Sequence, residues 1–192
     1  RTGQLRVIRN GVLDPKPVAG APMAYWAGES GLPGAVHGYM DVALHPQFAT
    51  NQLLYFSYLK PAGTERQSVL TVARGRFDGS AITGLSDIFS AGTGVSGPSR
   101  IAWGRDGKLY MTTPSGGNGS SSQDPNTYSG KVLRLNDDGT VPADNPFVGR
   151  AGHKPEVYTF GHRNSLGLGA HPVSGQMWQT EMGPNGGDEI NI

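Results

Sequence analysis

A four-residue turn, Gly161-His162-Arg163-Asn164, places a guanidinium and an amide side by side between two short strands. Polar residues on loops beside rigid strands are where binding sites tend to occur. Arg163 presents a planar fork of N–H donors, which suits a carboxylate or a quinone oxygen through charge-assisted hydrogen bonds. The alternative is an arginine that forms a surface ion pair. We predict that His162 is a loop residue rather than a base.

A second turn, residues 183–191 (GPNGGDEIN), has the composition of a calcium-binding loop. Its glycines allow backbone carbonyl groups to turn inward, and Asp188 and Glu189 supply the hard anionic oxygens that calcium prefers. The spacing is not that of an EF-hand, so a glycine-rich turn with two solvated acids is the alternative interpretation.

Strands and turns that position these residues run along the whole chain. No stretch has an apolar period of 3.6 over ten residues, so we predict an all-β protein with a single domain, residues 1–192. Asn10-Gly11 is a strong signal for a hairpin turn. The predicted strands are 5–8, 40–44, 53–58, 69–77, 100–103, 109–112 and 132–135.

Three hairpins share one scheme, in which a short apolar strand, a turn with Pro, Gly or Asp, and an apolar-aromatic strand follow one another. Tyr55, Tyr110 and Trp178 occupy matching positions in the three units. Such repetition predicts β-propeller blades, about three in number, and a β-sandwich is the alternative. Three blades leave unpaired edges. We expect these edges to be covered either by further chain, a missing C-terminal half, or by a second copy in a homodimer.

The propeller interpretation gives the other histidines different roles. His37 lies in a loop entering the first strand of a blade, and we expect such a loop to face the axial mouth, where ligands bind. The polar loop 114–129 is a second candidate wall of that mouth, since long loops are often functional. His45 and His171 each precede a proline at equivalent places in the repeat, so we predict turn or packing roles for them.

Composition excludes several classes of function. The net charge is +1 and like charges do not cluster, which argues against nucleic-acid binding or a basic membrane face. No apolar run approaches the length of a membrane span. The chain has no cysteine, so disulfides and thiolate metal sites are excluded.

The sequence resembles the soluble quinoprotein sugar dehydrogenases, which depend on pyrroloquinoline quinone (PQQ) and are also described as aldose or glucose/sorbosone dehydrogenases. The matching segments cover nearly the whole chain in the right order; they are 40–48 (MDVALHPQF), 100–113 (RIAWGRDGKLYMTT), 129–147 (SGKVLRLNDDGTVPADNPF), 155–164 (PEVYTFGHRN) and 181–191 (EMGPNGGDEIN). The resemblance implies a six-bladed propeller with PQQ and calcium on its axis, which oxidises aldose sugars to lactones by hydride transfer to the quinone. It also implies a periplasmic or secreted location.

The resemblance assigns roles to two of the segments already described. Arg163 and Asn164 match the pair that contacts the cofactor, and Arg163 would stabilise its reduced oxygen. Gly183 and Pro184 match the residues whose backbone carbonyls hold calcium. Asp188 and Glu189 match the acidic loop that follows and are further candidate ligands.

The sequence also departs from the family pattern. Relatives carry the catalytic histidine at the position of Ser96, and a serine hydroxyl is not a base near pH 7 without help. His37 is therefore the histidine that we nominate as base. The chain has about half the usual family length, and relatives supply further basic residues for the quinone from later blades. Two alternatives stay open: a non-catalytic propeller-derived module that binds sugar or protein, and a calcium-dependent hydrolase of the lactonase type.

Overall fold

The computed structural model describes residues 3–25, 38–63, 67–92, 94–116 and 119–192. These residues form thirteen strands and two short helices, so the all-β prediction is confirmed. The strands are β1 (Ile8–Arg9), β2 (Val12–Leu13), β3 (Tyr39–Leu44), β4 (Leu53–Pro61), β5 (Ser68–Phe77), β6 (Ile82–Ser90), β7 (Ile101–Trp103), β8 (Leu109–Thr113), β9 (Lys131–Leu135), β10 (Val157–Phe160), β11 (Asn164–Ala170), β12 (Met177–Met182) and β13 (Glu189–Asn191). The helices are α1 (Phe48–Asn51) and α2 (Gly119–Gln123), and α2 gives the predicted 114–129 loop a turn of regular structure.

After the small two-stranded sheet of β1 and β2, three larger antiparallel sheets follow one another along the chain. Their strand orders are β3-β4-β5-β6, β7-β8-β9-β10 and β11-β12-β13, so neighbours in sequence are neighbours in space. Strand β7 contacts β3 on one side and β11 on the other, and the first strands of the sheets therefore stand side by side. This is the arrangement of adjacent propeller blades around an axis. The prediction of about three blades is confirmed, and within the described residues the sheets do not close into a ring.

The aromatic repeat has a structural counterpart in each blade. Tyr55, Tyr110 and Trp178 lie on the second strands β4, β8 and β12. The His45 ring stacks on Tyr55 at 6.3 Å between centroids, and the His171 ring stacks on Trp178 at 5.6 Å, both with planes tilted by 26°. The predicted turn and packing roles of His45 and His171 are thereby confirmed.

The main core lies between the first and second blades. It joins buried side chains from β4 and β5 with those from β7, β8 and β9, and its largest fully buried members include Tyr55, Leu59, Leu70, Met111, Leu133 and Leu135. A smaller cluster on the other face of the first blade contains Leu54, Phe56 and Ile82 and is covered by residues from the N-terminal segment. Since β4 is buried on both faces, its sequence is almost continuously apolar rather than alternating.

Arg100 connects the three blades where their first strands begin. Its Nε donates to the carbonyl of Leu166 at 2.8 Å, and its Nη1 lies 4.0 Å from Asp41 Oδ1. Asp41 Oδ2 also accepts from the amide of Ile101 at 3.1 Å. One arginine and one aspartate thus fix the relative positions of β3, β7 and β11 near the axis.

Within the described residues, no helix has the length and apolar character needed to cross a bilayer.

Candidate active site

The register of one hairpin brings the two candidate segments together. Strand β11 begins at Asn164 and its antiparallel partner β12 ends at Met182, and these two residues are paired directly. Arg163, just before β11, and Gly183, just after β12, therefore leave the same end of the hairpin side by side. Segments separated by about twenty residues in sequence form a single site because a hairpin returns to its starting end.

The side chain of Arg163 crosses this end of the hairpin. Its Nη1 donates to the carbonyls of Met182 at 2.9 Å and of Gly183 at 3.0 Å. Its Nε and Nη2 make no hydrogen bond within the described part of the chain, and the residue is half-buried. The guanidinium thus has donors left for a ligand, and two backbone carbonyls there already face a positive charge.

The loop after β12 is tightly wound. Asn185, Gly186 and Gly187 all have positive φ, at 53°, 88° and 84°. A Cβ added to Gly183 would lie 2.1 Å from the carbonyl oxygen of Gly187, so only glycine fits at this position. Asp188 Oδ1 accepts from the amide of Gly183 at 2.9 Å and closes the turn.

The other predicted calcium ligands lie around this loop. Pro184, Asp188 and Glu189 are exposed, and Glu189 begins β13 directly opposite Glu181. The described residues contain no cluster of three or more His, Cys, Asp or Glu able to hold a metal. The oxygens that lie together at this end of the hairpin are the backbone carbonyls of Met182 and Gly183, which share the Nη1 donor of Arg163.

A buried glutamate, which the sequence analysis did not single out, lies behind the turn. Glu181 Oε2 is 3.1 Å from His162 Nδ1, and the Nε2 of His162 is 2.7 Å from Thr159 Oγ1. Burial lowers the pKa of His162, although the carboxylate of Glu181 opposes this effect. The neutral ring then donates from Nδ1 to Glu181 and accepts at Nε2 from Thr159. The signal in the sequence was alternation along β12, which puts Gln179 and Glu181 on its buried face.

The predicted wall 114–129 packs against the same turn. The amide of Ser115 donates to the carbonyl of Arg163 at 2.8 Å, and the amide of Gly161 donates to the carbonyl of Ser122 at 2.8 Å. Lys131 is fully buried, and its Nζ donates to the carbonyls of Ser121, Ser122 and Ser129. The loop, helix α2 and the 161–164 turn are therefore one connected structure.

The two candidate positions for a base have different outcomes. Ser96 is exposed, and its Oγ lies 3.4 Å from Ser68 Oγ, which provides no group to activate it. His37 falls outside the described residues.

Comparison with known proteins matches the whole chain to one family. The model of the glucose/sorbosone dehydrogenase family matches residues 1–192. An uncharacterised protein of Synechocystis sp. is 40% identical over 100% of this chain and 50% of its own length. The aldose sugar dehydrogenase YliI of Escherichia coli is 32% identical over 100% of this chain and 51% of its own length.

Solved structures agree with this match. The PQQ-bound form of the aldose sugar dehydrogenase from Streptomyces coelicolor superposes with a TM-score of 0.76 at 25% identity, over 99% of this chain and 53% of that structure. The chain spans about half the length of the curated relatives it matches.

Proposed function

The chain belongs to the glucose/sorbosone dehydrogenase family, and we propose on this premise that it binds PQQ and calcium and oxidises aldose sugars to lactones. The observation that carries the proposal is the shared hairpin end, where the Arg163 guanidinium and the Gly183 carbonyl lie 3.0 Å apart. One group suits an anionic quinone and the other suits a hard cation, and the register of β11 and β12 places them together.

The residues present fit a calcium ion. Carbonyl oxygens are hard ligands of the kind calcium prefers. The carbonyl of Gly183 accepts one hydrogen bond from the guanidinium of Arg163, and a carbonyl oxygen has a second lone pair with which it can bind a cation. Gly183 and Pro184 would hold the ion through their carbonyls, and Asp188 would keep the loop wound by its bond to the Gly183 amide. Asp188 and Glu189 remain candidate ligands.

The residues present also fit a quinone. The Nε and Nη2 of Arg163 can donate to an oxygen of the ligand, and within the described residues neither they nor the side-chain amide of Asn164 make a hydrogen bond. When bound, PQQ supplies the acceptor for the hydride removed from the sugar. Arg163 would then stabilise negative charge on the adjacent oxygen, as preorganised donors do in active sites.

The described histidines support the nomination of His37 as base. His162 has both ring nitrogens engaged, by Thr159 and Glu181. His171 follows the last residue of β11, so it lies at the opposite end of the blade from Arg163, and its Nδ1 accepts from the amide of Ser174 at 3.1 Å. His45 occupies the equivalent place in the first blade, and His153 lies in an outer loop.

A titration with PQQ and calcium tests the proposal. We expect stoichiometric uptake, seen as a change in quinone absorbance, followed by reduction when an aldose is added. A parallel titration with a calcium chelator present should give no uptake, because the cation would be missing. Absence of uptake with calcium present would overturn the proposal.

The exposed Ser96 favours a second candidate, a non-catalytic module that binds a sugar or a protein. A serine there leaves the family's base position without a group that accepts a proton near neutral pH. Uptake of PQQ without reduction by any aldose would support this candidate over the dehydrogenase. For either function we propose a periplasmic or secreted location, on the basis of the family alone.

Closure of the ring is a separate proposal, in which a second copy supplies the missing blades. Its support is the apolar character of the third blade, where Trp178, Met182 and Ile190 are 38%, 42% and 66% exposed. Sedimentation equilibrium of the chain should then give the mass of two copies. A folded sample with the mass of one copy would contradict the homodimer.

A further inference from the structure

Glu181 is a buried carboxylate with an unusual set of partners. A single oxygen, Oε2, accepts from His162 Nδ1 at 3.1 Å, from the Arg163 amide at 3.3 Å and from Gln179 Nε2 at 3.0 Å. The side chain is 7% exposed. A buried charge is costly unless donors surround it, and here three donors converge on one atom. Two of them belong to the turn that carries the candidate quinone contact.

Gln179 extends this network away from the site. Its Nε2 also donates to Ser165 Oγ, and its Oε1 accepts from Asn191 Nδ2 at 3.2 Å. Ser165 is on β11 and Asn191 on β13, so the network spans all three strands of the blade. Glu181 is therefore fixed by Gln179 within the sheet, and it binds His162 and the Arg163 amide of the turn.

The contacts between the turn and β12 are reciprocal. The Glu181 side chain binds the backbone of Arg163, and the Arg163 side chain binds the carbonyls of Met182 and Gly183, directly after Glu181. The β11–β12 ladder is irregular between Ser165 and Gly167, so regular pairing is interrupted close to this point. Side-chain contacts therefore supplement the ladder in setting the distance between the turn and the loop.

We propose that Glu181 is a positioning residue, which fixes the guanidinium of Arg163 relative to the carbonyl of Gly183. The inference rests on the proposed function, because it concerns the same quinone and cation groups. Loss of Glu181 would leave the folded blade in place but let the turn and the loop move independently, and binding of both ligands would weaken.

Two variants and two ligands test this inference. Glu181→Gln keeps an oxygen that can accept from the turn, whereas Glu181→Ala removes it. Asp138→Asn is the matched control, since Asp138 also accepts from a backbone amide, that of Thr140 at 2.9 Å, but lies on an exposed turn after β9. The PQQ dissociation constant is measured at saturating calcium, and terbium luminescence measures cation binding without quinone, both well below the thermal midpoint of each variant.

We expect the PQQ dissociation constant to rise about tenfold in Glu181→Gln and about a hundredfold in Glu181→Ala, with terbium binding weakened in the same order. Partial recovery by glutamine distinguishes positioning from general damage. Equal affinities in all folded variants would overturn the inference, and so would a loss confined to thermal stability. A wild type that binds terbium but not PQQ would overturn the proposed function alone, and the terbium series would still decide the role of Glu181. A wild type that binds neither overturns both.

Discussion

Replacing Arg163 with glutamine is expected to have opposite effects on the two ligands. Without quinone, calcium affinity should rise about tenfold, because the variant frees the carbonyl of Gly183 from the guanidinium while Glu181 still accepts from the backbone amide of residue 163 and keeps the turn in position. Uptake of PQQ should weaken by about a hundredfold or more, because the variant lacks the charged donors that face the ligand. Terbium luminescence measures the first effect and quinone absorbance the second.

The opposite signs make this prediction specific. General disruption of the hairpin end would weaken the binding of both ligands, and replacement of an arginine outside the site would affect the binding of neither. Arg150→Gln is the control, because this arginine lies over the ring of Phe147 at 5.6 Å in an outer loop. Unchanged terbium affinity in Arg163→Gln would mean that the guanidinium does not compete with a cation. Retained PQQ uptake would remove Arg163 from the proposed site.

The sequence predicted most strands of the first two blades and missed others for definable reasons. Strand β6 was not predicted because Gly84 interrupts its alternation. In the structure Gly84 has φ of 59° and lies where the β5–β6 register shifts, so the glycine marks a bulge rather than the end of a strand. The Asn10-Gly11 hairpin was predictable, since both residues adopt positive φ, at 50° and 80°, as a tight turn of this kind requires.

The candidate site was predictable in its parts but not in its connections. Arg163 and the Gly183 loop were identified by residue type, and their proximity follows from pairing Asn164 with Met182. The supporting groups, Glu181 and Lys131, lie on short strands that also carry other polar residues, among them Gln179 and Arg134, and the residue type alone does not indicate the partners of a polar side chain. Sequence periodicity can place such a charge on a buried face, but only the packed loops show which atoms satisfy it.

Replacing Lys131 with methionine is expected to lower the free energy of unfolding by about 3 kcal/mol, because two buried carbonyls and one partly buried carbonyl would lose their shared donor. Methionine keeps most of the apolar volume, so the loss reports the hydrogen bonds rather than a cavity. Chemical denaturation measures the change. Lys108→Met is the control: its Nζ donates to a single acceptor, Asn136 Oδ1, at 2.7 Å, and the loss should be about 1 kcal/mol or less.

The pH dependence of the free energy of unfolding shows how burial affects the charge of Lys131. Burial lowers the pKa of Lys131 to about 8, although Asp124 opposes the effect. Between about pH 8 and the ordinary lysine pKa of about 10.5, the unfolded chain holds a proton that the folded chain has released. The free energy of unfolding of the wild type therefore rises with pH over this window. The difference in free energy of unfolding between wild type and Lys131→Met should widen accordingly. At higher pH the free energy of unfolding falls again. Burial raises the pKa of Tyr55 to about 12, so such tyrosines lose their protons in the unfolded chain at a lower pH than in the folded chain. A gap that stays constant from pH 7 to about pH 10 would mean that the folded structure does not perturb this ammonium group, and that α2 is held without any cost in charge burial.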